Sequence, residues 1–416
     1  MSWGNRALEF SFPRSSRSDR ILFIVWNQAR IKTRKFLLDL FRSSGSNRSW
    51  GPLHGVASLH DWLRENPKNG NFLFHRPPWV QPCHLPLNQG RHLDPNFERL
   101  KEGIPHAETF VAEILGAMVT GPSVGVVSPD RWLFRELSLE FGHPTEEHGA
   151  MRKFFSPEPR LLRGTWVLLA VTGGNTFYHH LLEALPKFRL LEMAGIDPRR
   201  VDGWIVNGKT SSFQAASWNA LGLEANKLVT LDSRSFLQAD RLIVPSLPSY
   251  PGHTPPWVVD FLRKLFSAKG KINGSEESLW ISRRKASTRR FLGEKGWLGK
   301  LAPLGFRELF CEDLTMEEQA MLFARASHVA GAHGAGMANL AFCQEGAMVT
   351  EFFNPRYVNT CYWTLANSAG LRYTYFLGSK QPGDRPANHS DARGDIGLGG
   401  EGYQTALDWM RKAYPG

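Results

Sequence analysis

The chain has 416 residues, of which 42% are hydrophobic and 21% charged. That balance suits a globular protein with its own core and excludes collagen, a coiled coil and a wholly disordered chain; the length suggests two or three domains. Fifty Lys and Arg stand against 39 Asp and Glu, a net +11, which points towards a polyanionic partner: nucleic acid, an anionic membrane face or phosphorylated small molecules. The excess is local, with +7 in residues 1–50, +5 in residues 271–300 and about −1 in the rest.

Within the basic N-terminal arm, residues 19–42 mix Ile21, Leu22, Val25, Phe36 and Phe41 with Arg20, Arg30, Lys32, Arg34, Lys35 and Arg42. Large apolar side chains among basic ones suit an interfacial helix on an anionic membrane; a helix packed on the protein body is the alternative. No run approaches the ~20 apolar residues of a membrane span. Residues 43–104 are rich in Gly, Pro, Asn and His, have poor periodicity and read as irregular.

From about 108 a regular pattern begins. Strands are expected at 109–114, 124–128, 165–171, 201–207, 227–231 and 240–246, with helices at 178–194, which contains Pro186, and at 213–221. A proline-rich break at 247–257 marks a domain boundary. After a helix at 257–268, the alternation resumes. Strands are expected at 278–282, 306–310, 328–332, 347–352 and 371–377, with helices at 316–326, 336–342, 360–369 and 403–414. Residues 380–402 read as a flexible loop. Two βαβ series suggest two facing parallel-sheet domains with ligands at the carboxyl ends of their strands.

The four cysteines, Cys83, Cys311, Cys343 and Cys361, form no CxxC pair and have no zinc-ligand spacing. They read as free thiols in a reducing compartment, and no metal site is expected.

Four segments carry candidate chemistry. Gly331 to Asn339 (GAHGAGMAN) runs from a strand through glycines into a helix, a cradle for phosphate oxygens; tight packing is the alternative. Ser282 to Arg290 (SRRKASTRR) follows a strand end and offers guanidinium groups to phosphates; a solvated charge run is the alternative. His179 sits at a strand-to-helix junction with Glu183 four residues on, a candidate general base with a carboxylate on its helix face. A histidine satisfied by backbone would look the same. Glu351, at the end of a strand, suits a grip on ribose hydroxyls or a structural ion pair.

In these segments the chain resembles the family 61 glycosyltransferases. Their His-Trp-Leu-x-Glu-x-x-Pro pattern is matched by His179 to Pro186, and their Ser-Arg segment with later arginines by Ser282, Arg283, Arg289 and Arg290. A Leu-Glu-x-Leu-(Ser/Thr)-x-x-Glu-Gln pattern is met loosely by Cys311 to Gln319, which includes Glu312. His-Gly-Ala-Gly-(Leu/Met)-(Ala/Thr)-Asn is matched by His333, Gly334, Ala335, Gly336, Met337, Ala338 and Asn339, and the later Glu by Glu351. The chain departs from the pattern at His180, where Trp is usual, and at Gly293, where Asn is frequent.

The resemblance implies a GT-B fold of two Rossmann-like lobes and an inverting transfer from a nucleotide sugar, UDP-linked, to a glycan or glycoconjugate hydroxyl in polysaccharide biosynthesis. On the bounds read above, the acceptor lobe would be 105–250 and the nucleotide-sugar lobe 257–380; the basic extension at 1–104 has no counterpart in the family pattern, and a loop and helix at 381–416 close the chain. His179 would be the base, with Glu183 orienting it or substituting for it. Ser282, Arg283, Arg289, Arg290, Glu312, His333, Gly334, Ala335, Gly336, Asn339 and Glu351 would hold the donor. With no DxD motif in the sequence, arginines and a helix dipole would take the place of a divalent metal. The expected location is cytoplasmic, peripheral at the inner face of the membrane. The competing readings are a nucleic-acid- or polyanion-binding protein and a non-catalytic glycan binder; basic residues confined to two segments disfavour nucleic acid.

Overall fold

The computed structural model describes residues 53–87, 93–152, 158–208, 211–249, 252–266, 277–379 and 393–414. The expected interfacial helix at 19–42 lies outside them, as does most of the loop at 380–402. Among the described residues, no helix is long and apolar enough to cross a membrane.

The C-terminal series forms a five-stranded sheet, parallel throughout. Glu277–Ile281 lies between Phe306–Leu309 and Ala326–Ala332, and Met348–Phe353 and Arg372–Leu377 follow outward. Met348–Phe353 is buried at every position, because helices cover both faces of a parallel sheet. The strand order reverses between Glu277–Ile281 and Ala326–Ala332. At such a switch point, neighbouring connections leave on opposite sides and open a crevice beyond the strand ends. Here the crevice follows Ile281 and Ala332.

The N-terminal series forms a ten-stranded mixed sheet rather than the purely parallel one expected. Its parallel part runs from Phe236–Pro245 through Arg160–Leu168 and Gly203–Asn207 to Leu228–Leu231. On the other flank, Thr109–Leu115 and Met118–Thr120 pair antiparallel with Phe236–Pro245, and Met118–Thr120 turns back into Gly125–Val127. Four residues are too few for the crossover that a parallel pair requires. The stretch read as irregular also contributes. Ser58 caps helix Leu59–Glu65, Gly55–Ala57 pairs with Trp132–Phe134, and Gly70–Arg76 pairs with Thr109–Leu115 at the edge of the sheet.

Two helices depart from their expected form. The span 178–194 is broken, with α-helical Phe177–His179, a π-helical turn His180–Ala184, then Lys187–Met193. The Leu185 N–H reaches the His180 carbonyl at 3.0 Å, so the wide turn absorbs Pro186, which has no N–H to donate. Ala335–Phe342 is a 3-10 helix, and the helix Glu294–Leu301 was not anticipated.

The two sheets share one buried core, which includes Val167, Leu181 and Trp204 from the first series and Leu279, Val349 and Trp363 from the second. Contacts from residues 84–87 and from Phe97 reinforce the junction. The Leu87 N–H donates to the Tyr373 carbonyl at 2.7 Å, the Trp363 indole donates to the His84 carbonyl, and Phe97 stacks on Tyr375.

Candidate active site

The run from Ser282 to Arg290 emerges at the switch point, and its charges separate into two groups. Arg284 is bound by Glu308, Lys285 by Asp313 and Arg290 by Asp395. These exposed cations are already neutralised. Arg290, expected at the diphosphate, is instead turned to Asp395, which takes its Nε, its Nη2 and its backbone N–H. Arg283 and Arg289 have no carboxylate partner among the described residues. Arg283 donates from Nε to the Arg289 carbonyl (3.0 Å) and from Nη2 to the Thr288 carbonyl (2.8 Å). Burial, and then the neighbouring Arg289, hold its pKa below the ordinary arginine value. Arg289 has a left-handed backbone, φ 55°, and its buried Nε has no partner. A half-buried cation with an unmet donor on a strained backbone makes Arg289 a candidate ligand contact.

Ser282 supports this loop from below. Its hydroxyl donates to Glu294 at 3.1 Å, and the same carboxylate accepts from the Trp280 indole and the Arg283 N–H. Glu294 opens its helix after Gly293, which sits in the left-handed region at φ 74°. Glycine and asparagine are the residues that enter that region at least cost, so the Asn-to-Gly departure preserves the turn.

The glycine turn closes against Arg283. A Cβ on Gly334 would lie 2.0 Å from Arg283 Nη1, so only glycine allows the guanidinium to rest on the backbone there. Beyond it, the first N–H groups of Ala335–Phe342 lack helical partners, since Met337 is the first to bond back, to Gly334. Asn339 is fully buried and serves the scaffold: its amide donates to Gln319 at 2.8 Å and to the Gly336 carbonyl at 3.1 Å. Gln319 stands on a helix started by a reciprocal Thr315/Glu318 capping box. Two separate sequence motifs thus form one brace for the turn.

His333 follows the strand Ala326–Ala332, and its Nδ1 meets Glu351 at 2.5 Å. The other Glu351 oxygen accepts from the Tyr373 hydroxyl. Glu351 has no exposure and both its oxygens are occupied, which places it behind His333 rather than at a ribose. Burial holds the His333 pKa below its ordinary value, although Glu351 acts in the other direction. Glu312 is exposed on the short turn after Phe306–Leu309, makes no hydrogen bond among the described residues and is near enough to act on Arg283.

On the facing side, His179 Nδ1 meets Glu183 at 2.8 Å, and the ring stacks on Phe141 at 4.7 Å. A carboxylate at Nδ1 fixes that nitrogen as the donor and leaves Nε2 with a free lone pair. His179 keeps 24% of its side-chain exposure whereas Glu183 keeps 3%, so solutes reach the histidine and not the carboxylate. Burial pushes the Glu183 carboxyl up. One turn further, burial lowers Lys187 to about 7, and its ammonium donates to the Leu168 and Ala170 carbonyls. Glu183 and Lys187 line one cleft with Phe141, Thr172 and Leu247. Sequence reasoning did not single out Lys187, although its place four residues after Glu183 was a signal.

His180 has no place in the cleft. It is 1% exposed, lies edge-on to Trp218 at 4.8 Å and has no partner for either ring nitrogen. The position usually held by Trp is a core position.

The two halves of the site meet through aromatic contacts. His333 packs on Tyr362 at 5.1 Å, Tyr362 on Tyr178 at 5.7 Å, and Tyr178 on His179 at 5.0 Å. The candidate base and the arginine-glycine crevice therefore belong to one neighbourhood.

The model of the family described as Glycosyltransferase 61 matches residues 177–350. That stretch, somewhat less than half of the chain, is similar to a glycosyltransferase 61 domain, in agreement with the ordered motifs. The match is to a family of glycosyltransferases, enzymes that join a sugar donor to an acceptor. A search of curated proteins gave no match.

Proposed function

We propose that the protein is an inverting glycosyltransferase of GT-B type that moves a sugar from a UDP-linked donor to a hydroxyl of a glycan or glycoconjugate, in polysaccharide assembly. The observation that carries this reading is the pair Arg283 and Arg289, the cations of their run without carboxylate partners, beside Gly334 at the switch point. A dianionic diphosphate supplies what they lack. The N–H groups of Ala335 and Gly336 add donors, and His333, held through Nδ1 by Glu351, has Nε2 left for the ligand. Glu312, with its free carboxylate, replaces Glu351 as the ribose contact.

In the reaction His179 Nε2 takes the proton of the acceptor hydroxyl. The acceptor oxygen bonds to the anomeric carbon as the bond from that carbon to the phosphate oxygen breaks, in one in-line step. Charge grows on the leaving diphosphate, where Arg283, Arg289 and the helix N-terminus stabilise it. Glu183 stabilises the imidazolium and holds its tautomer.

A thermal-shift screen across nucleotide sugars, followed by NMR of the product anomer, tests this reading. A melting rise with one UDP-sugar and an inverted anomer are expected. A retained anomer would remove the single-displacement mechanism, and no rise with any nucleotide would remove the donor site.

A further inference from the structure

A second cluster lies on the mixed sheet and shares no residue with the site above. His60 comes from helix Leu59–Glu65, His75 from the edge strand Gly70–Arg76, and Glu108 from just before Thr109–Leu115. Each imidazole aims Nε2 at a different oxygen of Glu108, both at 2.9 Å, and all the ligand atoms lie within 4.8 Å of one another.

The backbone is shaped to make this convergence. Along an unbroken strand, Phe72 and His75 would point to opposite faces. Between Phe72 and Phe74, however, the register shifts: Phe72 pairs with Ala112, Phe74 with Val111 and His75 with Phe110. The extra residue of this bulge brings His75 onto the face of Phe72 and Phe110, the face on which His60 rests. The cluster has an apolar floor, with His60 4.7 Å from Phe72 and its ring edge-on to His75 at 5.9 Å. It also has an open side, since the three side chains keep 38%, 40% and 29% of their exposure.

We propose that His60, His75 and Glu108 form a binding site for a divalent transition cation, zinc, that clips helix Leu59–Glu65 to the edge of the sheet. Two imidazole nitrogens and a carboxylate oxygen are zinc's ordinary donors, and water completes the fourth position. Bonds of about 2.0–2.1 Å require tetrahedral ligand atoms roughly 3.3 Å apart, and the ligand atoms already lie within 4.8 Å of one another, so side-chain adjustments suffice to close the site on a metal. No motif spacing reveals this site, because its ligands come from three segments and the bulge that aligns two of them has no residue signature.

The test uses tag-free, chelator-stripped full-length protein titrated with zinc in a calorimeter, with metal content measured after dialysis. One equivalent bound, a melting rise with zinc, and at least a tenfold loss of affinity in His75→Ala and Glu108→Gln are expected. Glu108→Gln keeps the volume of the side chain and serves if His75→Ala does not fold. Binding that is unsaturable, or equally tight in the parent and in Glu108→Gln, would overturn the proposal.

Discussion

Gly334→Ala perturbs the crevice through a single methyl group. The new Cβ would sit 2.0 Å from Arg283 Nη1 and 2.7 Å from Cζ, where ordinary contact is about 3.5 Å. The guanidinium must therefore retreat by more than an ångström. It cannot simply swing, because Nε and Nη2 are anchored to the Arg289 and Thr288 carbonyls. Hydrogen bonds to charged groups contribute about 1.5–3 kcal/mol each, so losing one when UDP binds lowers affinity by roughly tenfold to a hundredfold. Calorimetric titration with UDP reads this directly. Gly296→Ala is the control: its Cβ meets nothing within 4 Å in helix Glu294–Leu301, so stability should rise by about 0.5–1 kcal/mol with UDP affinity unchanged. If Gly334→Ala binds UDP as tightly as the parent, Arg283 does not hold the diphosphate.

The sorting of the basic run predicts that Arg289→Ala loses UDP affinity at least tenfold while Arg290→Ala, already paired with Asp395, stays within about twofold; the reverse order would return Arg290 to the site. His179→Ala should keep UDP binding and lose transfer by a factor of about 10² or more, and full turnover would remove it as the base. His180→Phe should stabilise the protein by about 1–3 kcal/mol at pH 7, by removing two buried nitrogens that lack partners. The same variant should change the acid response. Burial lowers His180 to about 3 from 6.5, so the unfolded chain binds the extra proton and the parent loses stability as pH falls from 6.5 towards 3. Denaturation midpoints across that window should fall less steeply in the variant, and parallel curves would refute the assignment. Deleting residues 1–42 should abolish sedimentation with anionic liposomes and spare catalysis, and undiminished sedimentation would end the membrane proposal.

Much of the C-terminal half was legible in the sequence because its strands are short, apolar and regularly interleaved with helices. The glycine turn and the first arginine were legible for the same reason, since both directly follow such strands. The N-terminal sheet was harder to read. Gly70–Arg76 is half exposed and bulged, so neither alternation nor a continuous apolar run marks it. Partnering was not legible at all. Nothing local distinguishes Arg289 from Arg290; the difference lies in Asp395, more than a hundred residues away. A strand-end Glu351 suits a ribose grip and a structural pair equally in the sequence; only the positions of Tyr373 and His333, which occupy both its oxygens, favour the second.

The junction contacts and the sheet order also bear on where the chain can be cut. The matched stretch, 177–350, begins after Arg160–Leu168, a central strand of the first sheet, and stops inside Met348–Phe353. A fragment with those limits would lack the strand Arg372–Leu377, the 2.7 Å bond from Thr350 to Tyr414 and the Phe97 stack, leaving raw sheet edges for self-association. The smallest excisable unit is therefore set by hydrogen-bonded neighbours, and it reaches well past both ends of the motif-bearing segment.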